Sequence, residues 1–149
     1  MSRTPLKVIS NEEEKWIPPD YKDFDEAAEK IADRPLVFWG KKLTRDQRYK
    51  FQELGDVVYP EGYDPKDAAS VAQIKVTGKG EAYKFIFDNC ITKICNVMLQ
   101  TDGEVEEIEE LTGKDKQRYW NTSGDDISIL GAISHFVDSS SLSESEAKN

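Results

Sequence analysis

The chain has 149 residues, 38% of them hydrophobic and 33% charged, and its 20 basic against 29 acidic side chains leave a formal charge of −9 at pH 7. That length fits one domain, which buries roughly 70% of its unfolded surface and so holds a core without metal or disulfides. A surface this acidic repels nucleic-acid phosphates and anionic lipid, which argues against ordinary nucleic-acid and membrane-surface binding; the charge reads as one that keeps the domain in solution, with mimicry of nucleic acid toward a basic partner as the alternative.

Taken in chain order, residues 1–20 read as an extended arm. Pro18 and Pro19 forbid helix there and push Ile17 into an extended conformation. Trp16 with Ile17 reads as an anchor that docks on this domain or on a partner. A short helix is predicted over residues 25–32, capped by Asp23 or Asp25. Pro35-Leu36-Val37-Phe38-Trp39-Gly40 reads as a short strand at the margin of the fold. Thr44 with Gln47 has the form of a capping box, opening a helix with Tyr49, Phe51 and Leu54 that stops at Gly55.

Asp64-Pro65 starts another predicted helix over residues 64–74, and Thr77-Gly78-Lys79-Gly80 breaks the chain. The strongest periodicity lies in residues 81–100. There Tyr83, Phe87, Cys90, Ile94 and Val97 recur at four- and three-residue spacing, which predicts a long central helix closed by Thr101-Asp102-Gly103. Val105, Ile108 and Leu111 among five glutamates predict a surface helix over 104–111. A short helix follows over 114–120. Ser123-Gly124-Asp125 caps a last clear helix whose Ile129, Leu130, Ile133, Phe136 and Val137 form one apolar face, and residues 142–149 read as a short terminal tail or helix. The fold class expected is therefore mainly α: an arm over 1–20, a helical domain over 21–138 with one or two marginal strands, and a tail over 139–149.

Candidate chemistry is sparse. His135 is the only histidine, and no serine or cysteine spacing completes a triad with it. Cys90 and Cys95, placed on one helix, would point about 140° apart and so read as buried thiols in a reducing compartment. One histidine and two such cysteines make no zinc set, and the acidic stretch after Asp102 lacks the order of a calcium loop. Gly78-Lys79-Gly80 is too short for a phosphate loop. Lys41, Lys42, Arg45, Arg48 and Lys50 form the one basic cluster, read as a patch that pairs with carboxylates. These readings supply no catalytic constellation, so a small enzyme is the least favoured class, and they require no cofactor or metal. They give a protein-binding factor whose contacts are Trp16, Ile17, Trp39, Ile129, Ile133 and Phe136. The absence of a leader at Met1 and of any 18-residue apolar run points to the cytoplasm.

Leu36-Val37-Phe38-Trp39-Gly40-Lys41-Lys42-Leu43-Thr44 and the charged helix after it resemble the opening of small tailed-bacteriophage proteins of the tail-assembly-chaperone type. The amphipathic helix over 126–137 and the acidic end Leu142-Ser143-Glu144-Ser145-Glu146-Ala147-Lys148-Asn149 fit the same pattern. The resemblance implies a helical, non-enzymatic morphogenesis protein with a tape-measure or tail-tube protein as partner, in the host cytoplasm, or in the virion if structural. It also implies a −1 frameshift near the end, with which a slippery AAAAAC run encoding Lys148-Asn149 is compatible. The aromatic-rich middle at Tyr83, Phe85 and Phe87 suits a neck or head-completion protein equally. Because Phe85 and Phe87 lie about 200° apart on a helix, one face needs a further surface, and a second copy of the chain is favoured for it over a monomer.

Overall fold

The computed structural model describes residues 2–6, 8, 11–55, 57, 58, 61–73, 75, 76 and 79–139. Along them run β1 (Glu14–Trp16), β2 (Val37–Gly40), α1 (Arg45–Leu54), β3 (Val57–Val58), α2 (Ala68–Val71), β4 (Lys75–Val76), α3 (Lys79–Asn89), β5 (Ile91–Thr101), β6 (Glu104–Thr112), α4 (Lys116–Trp120) and α5 (Asp126–Ser139). Four of these strands form an antiparallel sheet in the order β1-β2-β5-β6, and β3 and β4 form a separate ribbon. The architecture is mixed α/β, which corrects the mainly α expectation.

Two errors account for most of that correction. The expected helix over 81–100 is half helix and half strand, α3 and then β5, and the expected helix over 104–111 is β6. Ile91, Ile94 and Val97 are all buried, at three-residue intervals that imitate a helical stripe. In a regular strand buried residues alternate, so the interval requires two departures from regularity. One is a bulge at Thr92: Trp39 faces Lys93 while Gly40 faces Ile91, so Thr92 has no partner on β2. The other is Asn96, whose φ of 62° turns the chain again and whose side-chain amide donates to the Pro35 carbonyl at 2.9 Å. β6 follows the same course, since Ile108 and Leu111 pair with Val97 and Ile94. The hairpin turn is Asp102-Gly103, with φ values of 51° and 84°. Positive φ at both positions is what a two-residue type I′ turn demands, and Asp-Gly supplies it.

The strand predicted near residue 36 is central, with β1 on one side and β5 on the other. The expected helix over 25–32 is a series of turns ending in a 3-10 helix, Ile31–Asp33. Asp25 accepts from the Ala27 amide at 2.9 Å, a side-chain turn that competes with a helical start. Arg34 then takes the Ala28 and Glu29 carbonyls away from helical pairing. Within the described part of 64–74, the α-helix is only the short α2, N-capped by Asp67. Ile74, Thr77 and Gly78 lie outside the described residues, as does the expected element over 142–149.

The local signals elsewhere hold. Thr44 Oγ1 accepts from the Gln47 amide at 3.2 Å and Gln47 Oε1 from the Thr44 amide at 3.0 Å, a complete capping box, and Gly55 closes α1. The short helix expected over 114–120 is a 3-10 helix, Gly113–Asp115, followed by α4, and the long α5 also stands where expected. The core lies under one face of the sheet, where Phe38, Ile94, Val97 and Leu111 meet Ile86, Phe87 and Cys90 from α3, Tyr119 from α4, and Ile129, Ile133 and Phe136 from α5. Among the described residues no helix is long and apolar enough to cross a membrane.

Candidate functional site

The six residues expected to contact a partner divide between two faces. Trp16 ends β1 on the core side of the sheet. Its indole stacks on His135 at 6.1 Å and 23° and leans on Phe38 at 6.1 Å. A Cβ at Gly131 would stand 2.6 Å from the indole's Cη2, so the ring occupies the space a side chain on α5 would need. The anchor therefore docks on its own domain, with Ile17 half-buried beside it. Ile129, Ile133 and Phe136 are at most 7% exposed and lie in the core, so the apolar face of α5 is turned inward. What α5 presents outward is Ile127, with Leu130 partly exposed. Trp39 stands apart, half-buried on the opposite face of the sheet with the Lys93 ammonium 4.8 Å from its ring centre.

The groups with chemical potential are held quiet. Lys116 is buried and donates to the Phe87 carbonyl at 3.1 Å and to that of Ile91, with its ammonium 5.3 Å from the Phe87 ring centre. It thus ties the end of α3 to the start of β5 and satisfies carbonyls that a helix end leaves free. Burial lowers its pKa, with Asp88 opposing that shift. Cys90 is buried at the same junction, and burial pushes its thiol up to about 11 against the opposing pull of Lys116. Cys95 lies half-buried on the Trp39 side, its thiol also raised by burial. The two are not on one helix, as the spacing argument had them. Since the thiolate is the nucleophile, both react slowly, and Cys90 is further shielded by the core. Iodoacetamide at neutral pH is expected to alkylate Cys95 alone in the native protein, Cys90 becoming reactive only in urea; peptide mass spectrometry reads both. His135 sits between the Trp16 and Phe136 rings, as an aromatic packing element. Among the described residues no group of three or more His, Cys, Asp or Glu is placed to hold a metal ion.

The features open to solvent lie along the β5-β6 hairpin. A groove of about 770 Å³ separates the end of β5 and the hairpin turn, from Met98 to Gly103, from the α4–α5 connection at Asn121, Thr122 and Ser123. At its base the Tyr119 hydroxyl donates to Asp125, and burial with this bond raises the tyrosine's pKa far above neutrality. A tyrosine so held keeps its proton at neutral pH. Arg118 at its side is paired with Glu106.

β6 is an edge strand nine residues long, and among the described residues its outer side pairs with no strand. It carries Glu104, Glu106, Glu107, Glu109 and Glu110, and Val105 is 59% exposed. The register puts Val105 and Glu107 on one face with Gln100 and half-exposed Met98. Beside the inner half of β6 a hollow of about 390 Å³ opens between Trp39, Cys95 and Glu26, with Glu109 and Glu110 on its rim. Reading residues 104–111 as a helix hid this edge. Asp102-Gly103 between two runs of strand length was the signal that could have found it. No family model, curated protein or solved structure matches the chain.

Proposed function

We propose that the chain is a non-catalytic protein-binding factor that engages its partner through the free edge of β6 and the exposed Met98–Val105 face of the hairpin. The observation that carries this is the edge itself. An unpaired strand of this length offers a row of amide and carbonyl groups to any extended chain, a liability that proteins cover, shorten or use. Met98 and Val105 next to it add apolar surface that is not covered by the rest of the described chain.

The finer reading, an assembly chaperone or structural adaptor of a tailed phage, is supported by the order of strand, capping box and terminal amphipathic helix. Its implication of a helical protein is corrected above. A slippery heptamer near the end of the gene, beside a very long helical reading frame, is the genomic result that supports it, and the lack of both removes it. The row of carboxylates on β6 favours a second reading, an acidic inhibitor that takes the place of nucleic acid on a basic protein; a neighbouring nuclease-defence locus supports that one. Of the residues that motivated self-association, Phe87 is buried and packs on Trp120 at 5.1 Å, Tyr83 and Phe85 are partly buried against the core, and Met98 stays half exposed.

A photo-crosslinking amino acid at Val105, in cells that naturally make the protein, tests the principal reading. A discrete adduct with another protein is expected at Val105 and not at Tyr49, an exposed site on α1. No adduct at Val105, or the same adducts at both sites, overturns it.

A further inference from the structure

We infer that the partner presents an extended, lysine- or arginine-rich segment, which adds to the sheet as a fifth strand alongside β6. This rests on the reading of β6 as the binding edge and specifies what the edge accepts. Three observations converge on it.

The first is backbone geometry. β6 runs from Glu104 to Thr112 and, among the described residues, pairs through one side only, with β5. The opposite edge of the sheet, β1, is three residues long and carries Lys15, whose ammonium bridges Glu26 at 2.9 Å. A strand-shaped ligand thus has one long edge available.

The second is charge. Five carboxylates occupy seven consecutive positions of β6, and the alternation of a strand sends them to both faces. Glu106, Glu109 and Glu110 are engaged by Arg118, Arg34 and Lys93. Glu104 and Glu107 have no basic partner among the described residues. Like charges on neighbouring strands repel and opposite charges attract, so the edge rejects an acidic strand and accepts a basic one. The same rule argues against a second copy of the chain here, since pairing β6 with itself sets glutamates against glutamates.

The third is the hollow beside the edge. It brings the Trp39 ring together with the rim carboxylates Glu109 and Glu110. Lys93 already demonstrates the chemistry: its ammonium lies over the ring and 3.2 Å from Glu110 Oε1. Glu109 and Glu110, on the strand next to the ligand, are the part of this hollow within reach of a cationic side chain from a strand laid on β6, whereas Trp39 lies two strands further in and is already covered by Lys93.

The test uses the full chain and a fluorescein-labelled peptide of alternating lysine and valine, eight residues long, read by anisotropy at low salt. Binding is expected, weakening as salt is raised because exposed charges are screened. Charge reversal at both free positions (Glu104→Lys with Glu107→Lys) is expected to lower affinity about tenfold, the product of two cross-strand pairs changing sign. The melting transition should stay in place, since both side chains are exposed. The decisive arm is the same peptide N-methylated at every residue, which keeps its charge and has no amide donor left on either edge to complete a ladder. Loss of its binding supports strand addition. Equal binding of the methylated and plain peptides overturns the inference, and so does equal binding of a glutamate–valine peptide. Failure of every peptide alongside a persistent Val105 crosslink removes the basic strand and leaves the protein-binding reading standing, so the two failures are told apart.

Discussion

Replacing Ile94 by aspartate is expected to unfold the protein. Ile94 has no exposed surface and stands at the centre of the sheet, opposite Phe38 on β2 and Leu111 on β6. The substitution removes a large apolar side chain, which costs about 2–5 kcal/mol in a core that relaxes only in part. It also sets a carboxylate where no donor waits, adding several kcal/mol or forcing its protonation. Together these approach the whole stability of a domain, about 5–15 kcal/mol. Ile94→Val keeps the shape and loses about 0.5–1.5 kcal/mol. Far-UV circular dichroism with a urea titration separates the outcomes: a cooperative transition for valine, slightly shifted, and none for aspartate. A native-like transition for the aspartate variant would place Ile94 outside the core and dissolve the β2-β5-β6 register.

The second large effect is expected at Gly40, where the sheet meets α5. A Cβ there would lie 2.7 Å from the Cys90 carbonyl oxygen and 2.8 Å from Phe136 Cζ. Neither neighbour yields easily. The carbonyl accepts from the Lys41 amide at 2.8 Å, and the Phe136 ring is fully buried. Gly40→Ala is therefore expected to cost about 1–3 kcal/mol by overpacking, although alanine has the better conformational entropy. Because part of the clash is with a side chain, Phe136→Leu in the same molecule should recover some of it, giving a coupling above about 0.5 kcal/mol. Strict additivity in a double-mutant cycle would mean that the carbonyl alone sets the limit.

What could be read from the sequence followed from how local each signal was. Thr44 and Gln47 identify a helix start within four residues, and the structure forms both of their hydrogen bonds. Leu36 to Gly40 spelled a strand, but nothing nearby told that it would be central, because its neighbours arrive from residues 14–16 and 91–95. The hairpin defeated periodicity for a definite reason. A bulge at Thr92 and a positive φ at Asn96 convert alternation into three-residue spacing, which is the signature of the other structure. Of the candidate site, Trp16 was legible as an anchor and its seat against Gly131 was not, since a glycine on a helix does not advertise what fills its space. The acidic run of β6 was visible as composition, but its meaning depended on knowing that it was an edge.

The order in which this sheet becomes complete follows from its strand sequence. β2 emerges during synthesis with β1 already made, whereas β5 begins at Ile91, 54 residues after Val37 (91 − 37). At bacterial to eukaryotic elongation rates that interval is roughly 3–10 s, long compared with the microseconds a hairpin needs to close. For that period the Phe38 strand has one short neighbour and no β5 or α5 to cover it, and α3 is made only toward its end. When β5 and β6 do appear, Asp102-Gly103 lets them pair locally and at once, so the nascent chain receives a ready-made ribbon onto which the waiting strand docks. The newborn protein thus passes through a stage with its central strand uncovered.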